Sequence, residues 1–163
     1  MSREAKNIQK EDYMRRALVL AGNGCGHTSP NPMVGCVIVK NDRIIGEGWH
    51  AYCGGLHAER NALKNCTEDP SGADLYVTLE PCPMCAGAIL HARLEQVVYG
   101  TADPKGGAVD SVEQLFTLPY NWTPEVHAGL LQAECAQILR DFFRELRLKK
   151  QAEKIARNGI SML

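Results

Sequence analysis

At 163 residues and 45% hydrophobic, the chain is long enough to bury the core of one domain, taken over residues 1–163. A net charge of −1 excludes a protein that attracts nucleic acid or acidic substrates through bulk charge, and no segment approaches the roughly 20 apolar residues of a membrane span. Seven cysteines, an odd number with two in a metal-spaced pair, exclude a complete disulfide framework, and a charged N-terminus over 1–12 without an apolar core points to a reducing cytoplasm.

Along the chain, Met14, Ala17, Leu18 and Ala21 recur at helical spacing and predict a helix over 11–21, stopped by Gly22 and Gly24. Residues 34–39 are an almost continuous apolar run, which suits a strand buried on both faces. Asn41-Asp42 then turns the chain into a strand over 43–48, completing a hairpin. A helix over 58–63, a strand over 75–79, a helix over 83–92 and a strand over 97–99 follow. The segment 100–110, with Gly100, Pro104, Gly106 and Gly107, reads as a loop. A short strand comes next, then a last helix with Leu131, Cys135, Ile138, Phe142 and Leu146 along one face. Strands alternating with helices predict an α/β fold, a three-layer α/β/α domain; the opening hairpin makes its five-stranded sheet mixed. Charge is uneven: Arg140, Arg144, Arg147, Lys149, Lys150, Lys154 and Arg157 face only Asp141, Glu145 and Glu153, so the C-terminal tail is basic.

Two short motifs carry the chemistry: His57 and Glu59 in Leu56-His57-Ala58-Glu59, and Cys82 and Cys85 in Pro81-Cys82-Pro83-Met84-Cys85. One imidazole and two thiolates form a three-ligand shell for a catalytic zinc, whose fourth position stays open to water. Cys82 and Cys85 are three apart and share one helical face, and Pro83 suits the first helical turn. That location favours thiolate over thiol. His57 and Glu59 are only two apart and serve one site only where a helix begins. A metal held between two helix N-termini is therefore expected, with Glu59 free to move protons. Two other readings stand beside it. The cysteines are incidental core residues, or Cys53 joins His57, Cys82 and Cys85 in a closed structural Cys₃His zinc site, leaving Glu59 without a task. Cys25, Cys36, Cys66 and Cys135 read as small buried or half-buried residues.

His-Ala-Glu followed by Pro-Cys-x-x-Cys resembles the zinc-dependent cytidine deaminase superfamily. The resemblance implies zinc on His57, Cys82 and Cys85, attack by the activated water on an amine-bearing ring carbon, and Glu59 as base and then acid. Residues 11–82 are similar to the bacterial riboflavin-pathway pyrimidine deaminase, through Thr28-Ser29-Pro30-Asn31-Pro32-Met33-Val34-Gly35-Cys36, Gly46-Glu47-Gly48-Trp49-His50 and His57-Ala58-Glu59-Arg60-Asn61-Ala62-Leu63. In that family Asn31 and His50 face a phosphoribosylated pyrimidine. Residues 82–150 instead resemble the bacterial tRNA adenosine deaminase, through Pro83-Met84-Cys85-Ala86-Gly87-Ala88, Asp103-Pro104-Lys105-Gly106-Gly107-Ala108 and Asp141-Phe142-Phe143-Arg144. The stretch 75–82 suits both and resembles a crossover point.

Neither match is complete. The pyrimidine enzyme spaces its cysteines further apart and often continues into a reductase. The tRNA enzyme has Asn where this chain has His50. Phe143 and Arg144 read either as RNA contacts in an anticodon loop or, with the rest of the basic face, as solvated helix surface. The favoured expectation is conversion of wobble adenosine to inosine in tRNA. Alternatives are the riboflavin-pathway deaminase, a free nucleoside or base deaminase, and a structural-zinc RNA-binding module. The resemblance also implies a homodimer with contacts through Ile89, Leu90 and their helix.

Overall fold

A computed structural model of the chain describes residues 3–160, so both ends of the domain expected over 1–163 extend outside the described residues. Its elements are α1 (Arg3–Gly22), β1 (Gly35–Lys40), β2 (Arg43–Trp49), α2 (Ala58–Lys64), β3 (Asp74–Leu79), α3 (Pro83–Ala92), β4 (Gln96–Thr101), β5 (Glu125–Ala128) and α4 (Gln132–Ile160), with one 3₁₀ turn at Leu115–Thr117. The five strands form one mixed sheet in the order β2-β1-β3-β4-β5. β1 is antiparallel to β2 and β3, whereas β3, β4 and β5 run parallel.

The period-2 alternation of strand side chains explains the layers. Cys36, Ile38, Leu75, Val77, Val97 and Tyr99 point to one face and pack with Ala58, Ala62, Ala86 and Ile89 of α2 and α3. The intervening Val37, Val39, Tyr76 and Val98 point to the other face, against Met14, Ala17 and Leu20 of α1 and Cys135 of α4. Both faces of the central strands are dry, which is why 34–39 reads as an unbroken apolar run rather than an alternating one. The expected three-layer fold and hairpin are present. Gly48 lets α2 lie directly on β2: a Cβ there would stand 2.3 Å from the Ala62 nitrogen and 2.4 Å from the Ala58 oxygen.

Several boundaries differ for physical reasons. α1 begins eight residues before the predicted start, because Glu, Lys and Gln support helix without marking an apolar face. The Glu11–Arg15 pair, four apart at 3.0 Å, continues that support. Leu131 lies outside α4, with φ at 50°, and its carbonyl accepts the Cys135 N–H. Ile89 is fully buried in its own chain's core, so it cannot provide the intermolecular contact expected of it; Leu90 packs partly against the same cluster. Cys36 and Cys135 are buried and Cys66 half-buried as expected, but Cys25 is exposed.

Candidate metal and substrate site

The carboxyl end of β3 leads through Glu80 and Pro81 into α3, and the segment after β2 leads into α2. Those two helix starts face each other. His57 is the N-cap of α2 and Cys82 the N-cap of α3, both with extended backbone, and Pro83 opens α3. His57 Nδ1 lies 3.5 Å from Cys82 Sγ and 3.6 Å from Cys85 Sγ. A tetrahedral zinc at ordinary bond lengths, about 2.0 Å to nitrogen and 2.3 Å to sulfur, would separate nitrogen from sulfur by about 3.5 Å. The donor set fits zinc in both chemistry and spacing, and all three donor atoms lie within 4.8 Å of one another. Cys53 is not in this cluster. It is exposed, with its Sγ 3.9 Å from Asn31 Nδ2, so the closed Cys₃His shell is not formed.

The three donors share protons when no metal is bound. Hydrogen bonding from the Cys85 thiol, reinforced by His57, lowers Cys82 to about 4, so it is a thiolate at neutral pH. That same bond, together with burial, pushes the Cys85 thiol far up. The Cys82 thiolate raises His57 through the bond between them. Glu59, in the first turn of α2, is only 3% exposed, and burial lifts its carboxyl above the usual range. A buried carboxyl group thus lies beside the metal donors in a dry setting.

A cavity of about 130 Å³ opens on this cluster, lined by His57, Glu59 and Cys82 with Asn31, His50 and Asp103 among others. The structure therefore brings Asn31 and His50 to the metal donors. His50 Nδ1 is 3.0 Å from the Leu56 carbonyl, an acceptor only, so Nδ1 carries a proton. In the neutral ring Nε2 is then the acceptor, and Asn31 Nδ2 lies 3.4 Å from it. The His50 ring also stands edge-on to His57, with centroids 5.5 Å apart.

Phe143 and Arg144 lie elsewhere. They line a second, larger groove of about 970 Å³ with Lys105, Arg140 and Arg147, which meets the metal pocket along Pro32, Leu79 and Asp103. Phe143 is 38% exposed and packs edge-on against half-buried Phe142. Arg144 shares its charge with Asp141 at 2.8 Å.

Glu80 is absent from the sequence-based site. It is 2% exposed, yet its carboxylate accepts main-chain N–H bonds from Asp103, Val109, Asp110 and Ser111. Burial works against that charge, but the bonds from Ser111, Asp110 and Asp103 outweigh it and hold the carboxyl below its usual range. A charged side chain between an apolar strand and a metal ligand was the available signal.

Comparison with known proteins places these residues in context. Residues 7–101 match the family described as the cytidine and deoxycytidylate deaminase zinc-binding region. The chain is 42% identical over 159 residues to the riboflavin biosynthesis protein RibD of Actinobacillus pleuropneumoniae, covering 91% of this chain and 40% of that protein. It is 41% identical over 152 residues to the tRNA-specific adenosine deaminase of Agrobacterium fabrum, covering 86% of this chain and 97% of that one. Its fold superposes with a TM-score of 0.75 on the diaminohydroxyphosphoribosylaminopyrimidine deaminase/reductase of Thermotoga maritima, at 38% identity, over 88% of this chain and 43% of that one. The chain thus spans about two fifths of the length of these riboflavin-pathway relatives, and both kinds of relative align over most of it.

Proposed function

The chain belongs to the cytidine and deoxycytidylate deaminase family of zinc enzymes, and from that premise we propose that it converts the wobble adenosine of a tRNA anticodon loop to inosine. The observation that carries this reading is the groove. A cavity of about 970 Å³ bearing Lys105, Arg140, Arg144, Arg147 and the exposed ring of Phe143 runs up to the metal pocket. Backbone phosphates suit those cations, and an unstacked base suits the aromatic face. A small pyrimidine would leave that groove unused.

Bound by His57, Cys82 and Cys85, zinc supplies the Lewis acidity that makes water nucleophilic near neutral pH. Glu59 would accept one proton from the water and deliver it to the ring nitrogen, then take the second from the hydroxyl added to the ring carbon and give it to the departing amine. One C–O bond forms, one C–N bond breaks, and ammonia leaves. Burial of Glu59 suits a group that must hold and release a proton in turn. A homodimer belongs to this reading, with exposed Met84 of α3 replacing Ile89 as the contact, and so does a cytoplasmic location. Among the described residues, no helix is long and apolar enough to cross a membrane.

A second reading has its own observation. The Asn31–His50 pair beside the metal donors suits the polar edge of a diaminopyrimidine, and RibD relatives are as similar as the tRNA enzymes. The deciding experiment is ammonia release from an anticodon stem-loop with wobble adenosine, from the diaminopyrimidine ribosyl phosphate, and from free nucleosides. Turnover of the stem-loop supports the first reading; turnover of the pyrimidine alone overturns it.

A further inference from the structure

The loop after β4 forms one wall of the metal pocket and one wall of the groove, since Asp103 lines both and Pro104 and Lys105 line the groove. From Ala102 to Asp110 it contains no helix or strand that could hold it. Turn bonds from the Lys105 and Gly106 N–H groups to Asp103 Oδ1 and from Gly107 N–H to the Asp103 carbonyl shape its middle, and one buried carboxylate gathers its two ends. Glu80 Oε2 accepts the Asp103 N–H at 2.9 Å and the Ser111 hydroxyl. Oε1 accepts the N–H groups of Val109, Asp110 and Ser111 at 3.2, 2.8 and 2.9 Å. The two ends of the loop, eight residues apart, are therefore fastened to a single side chain. That side chain stands two residues before the metal donor Cys82, and the Pro81 carbonyl between them accepts the Ala108 N–H at 2.9 Å.

All five groups facing the carboxylate donate to it. An amide at this position would set a donor against donors, so only an acceptor on both atoms satisfies the shell. The loop is also wrapped tightly enough to exclude a side chain. A Cβ on Gly107 would lie 2.2 to 2.4 Å from the carboxyl atoms of Glu80. The metal donors themselves sit at the starts of α2 and α3, whose buried faces pack on the sheet, and the loop adds Ala108 and Val109 to that same core.

We propose that Glu80 is a positioning residue: an internal anion that folds the 103–111 loop against the metal-binding turn and so sets the substrate-facing wall. Although Glu80 borders the metal pocket, both of its carboxylate oxygens are taken up by donors of the loop. Its loss therefore falls on substrate affinity and loop order rather than on metal binding or the chemical step. The inference holds for either substrate reading.

The test uses the zinc-loaded full chain with Glu80→Gln, Glu80→Ala and Ser111→Ala. Zinc content, hydrogen exchange of 103–111 and of α2 and α3, and KM with kcat are measured. Exchange in the loop is expected to rise roughly ten- to a hundredfold in Glu80→Gln, the effect of leaving buried donors unpaired, and less in Ser111→Ala. One zinc per chain is retained, α2 and α3 keep their protection, and KM rises with kcat nearly unchanged. In Glu80→Ala, added formate restores loop protection, whereas formamide at the same concentration does not.

Unchanged loop exchange in Glu80→Gln, equal rescue by formamide, or a fall in kcat at constant KM overturns the proposal. Should the Glu80 variants fail to fold, Ser111→Ala and Gly107→Ala decide by the same exchange measurement. Loop exchange and formate rescue need no substrate, so a chain inactive on every substrate tested would sink the deamination reading alone.

Discussion

The metal pocket and the groove beside it are built in opposite ways. In the pocket, His57, Cys82 and Cys85 sit on helix starts fixed by a sheet that is dry on both faces, and two of the three distances are already those zinc requires. In the groove, an irregular loop held by Glu80 meets an exposed face of α4, whose arginines are shared with neighbours such as Asp141 and Gln137. On the proposed reading the chemistry rests on the half built from helix starts, and recognition of RNA on the half built from a loop and a helix surface.

The sharpest way to break that comparison is to remove Glu59, the proposed proton carrier, and leave the groove alone. Glu59→Gln should lower kcat by about 10²- to 10⁴-fold while one zinc per chain is retained and RNA affinity is unchanged, as read by metal analysis, turnover and binding on one preparation. Loss of RNA affinity would mean the two regions are not separable.

Metal loading should next depend on pH with a definite sign. Zinc needs neutral His57 and both thiolates; Cys85, raised far, holds its proton, Cys82, lowered to about 4, holds none near neutrality, and the Cys82 thiolate raises His57 above an ordinary imidazole. Below the raised imidazole pKa two protons must be displaced, so affinity should fall about a hundredfold per pH unit of acidification. Above it the fall should be about tenfold, set by Cys85 alone. Competition with a chromophoric chelator across pH measures the slope, and a flat profile would contradict the shared-proton arrangement.

In the groove the effects should be smaller and confined to RNA. Arg147→Ala should weaken stem-loop binding several-fold and make its dependence on salt shallower by about one counterion. Turnover of a free nucleoside should stay the same. An equal loss on the nucleoside would place Arg147 within reach of the pocket. The smallest effect belongs to Cys53→Ser, which should leave zinc content and activity as they were because Cys53 lies outside the donor cluster. Loss of zinc there would restore the structural-site reading.

Much of this molecule is visible in its residues because the relevant physics is local. The apolar run at 34–39 reports a strand with two dry faces, and Cys82-Pro83-Met84-Cys85 reports two sulfurs on one turn at a helix start. His57-Ala58-Glu59 reports a second helix start, since only there can both side chains serve one site. The exclusion of Cys53, the burial of Ile89 and the role of Glu80 are not visible in this way. Each depends on what packs against the residue from elsewhere in the chain. Cys53 is only four residues from His57 but is directed to a different neighbour. Ile89 lies on the face of α3 that the sheet covers. Glu80 looks like one acid among many until the backbone of 103–111 closes on it.

The fold class and the three metal donors are legible in short stretches of residues, because helical spacing, strand periodicity and ligand chemistry act over a few positions. That donors 25 and 28 residues apart meet within about 3.6 Å, and that a buried carboxylate fastens the loop bordering their pocket, is a matter of tertiary packing. Those distances are set by sheet order and by the close fit of α2 on Gly48, which are properties of the packed chain and not of any short stretch of it.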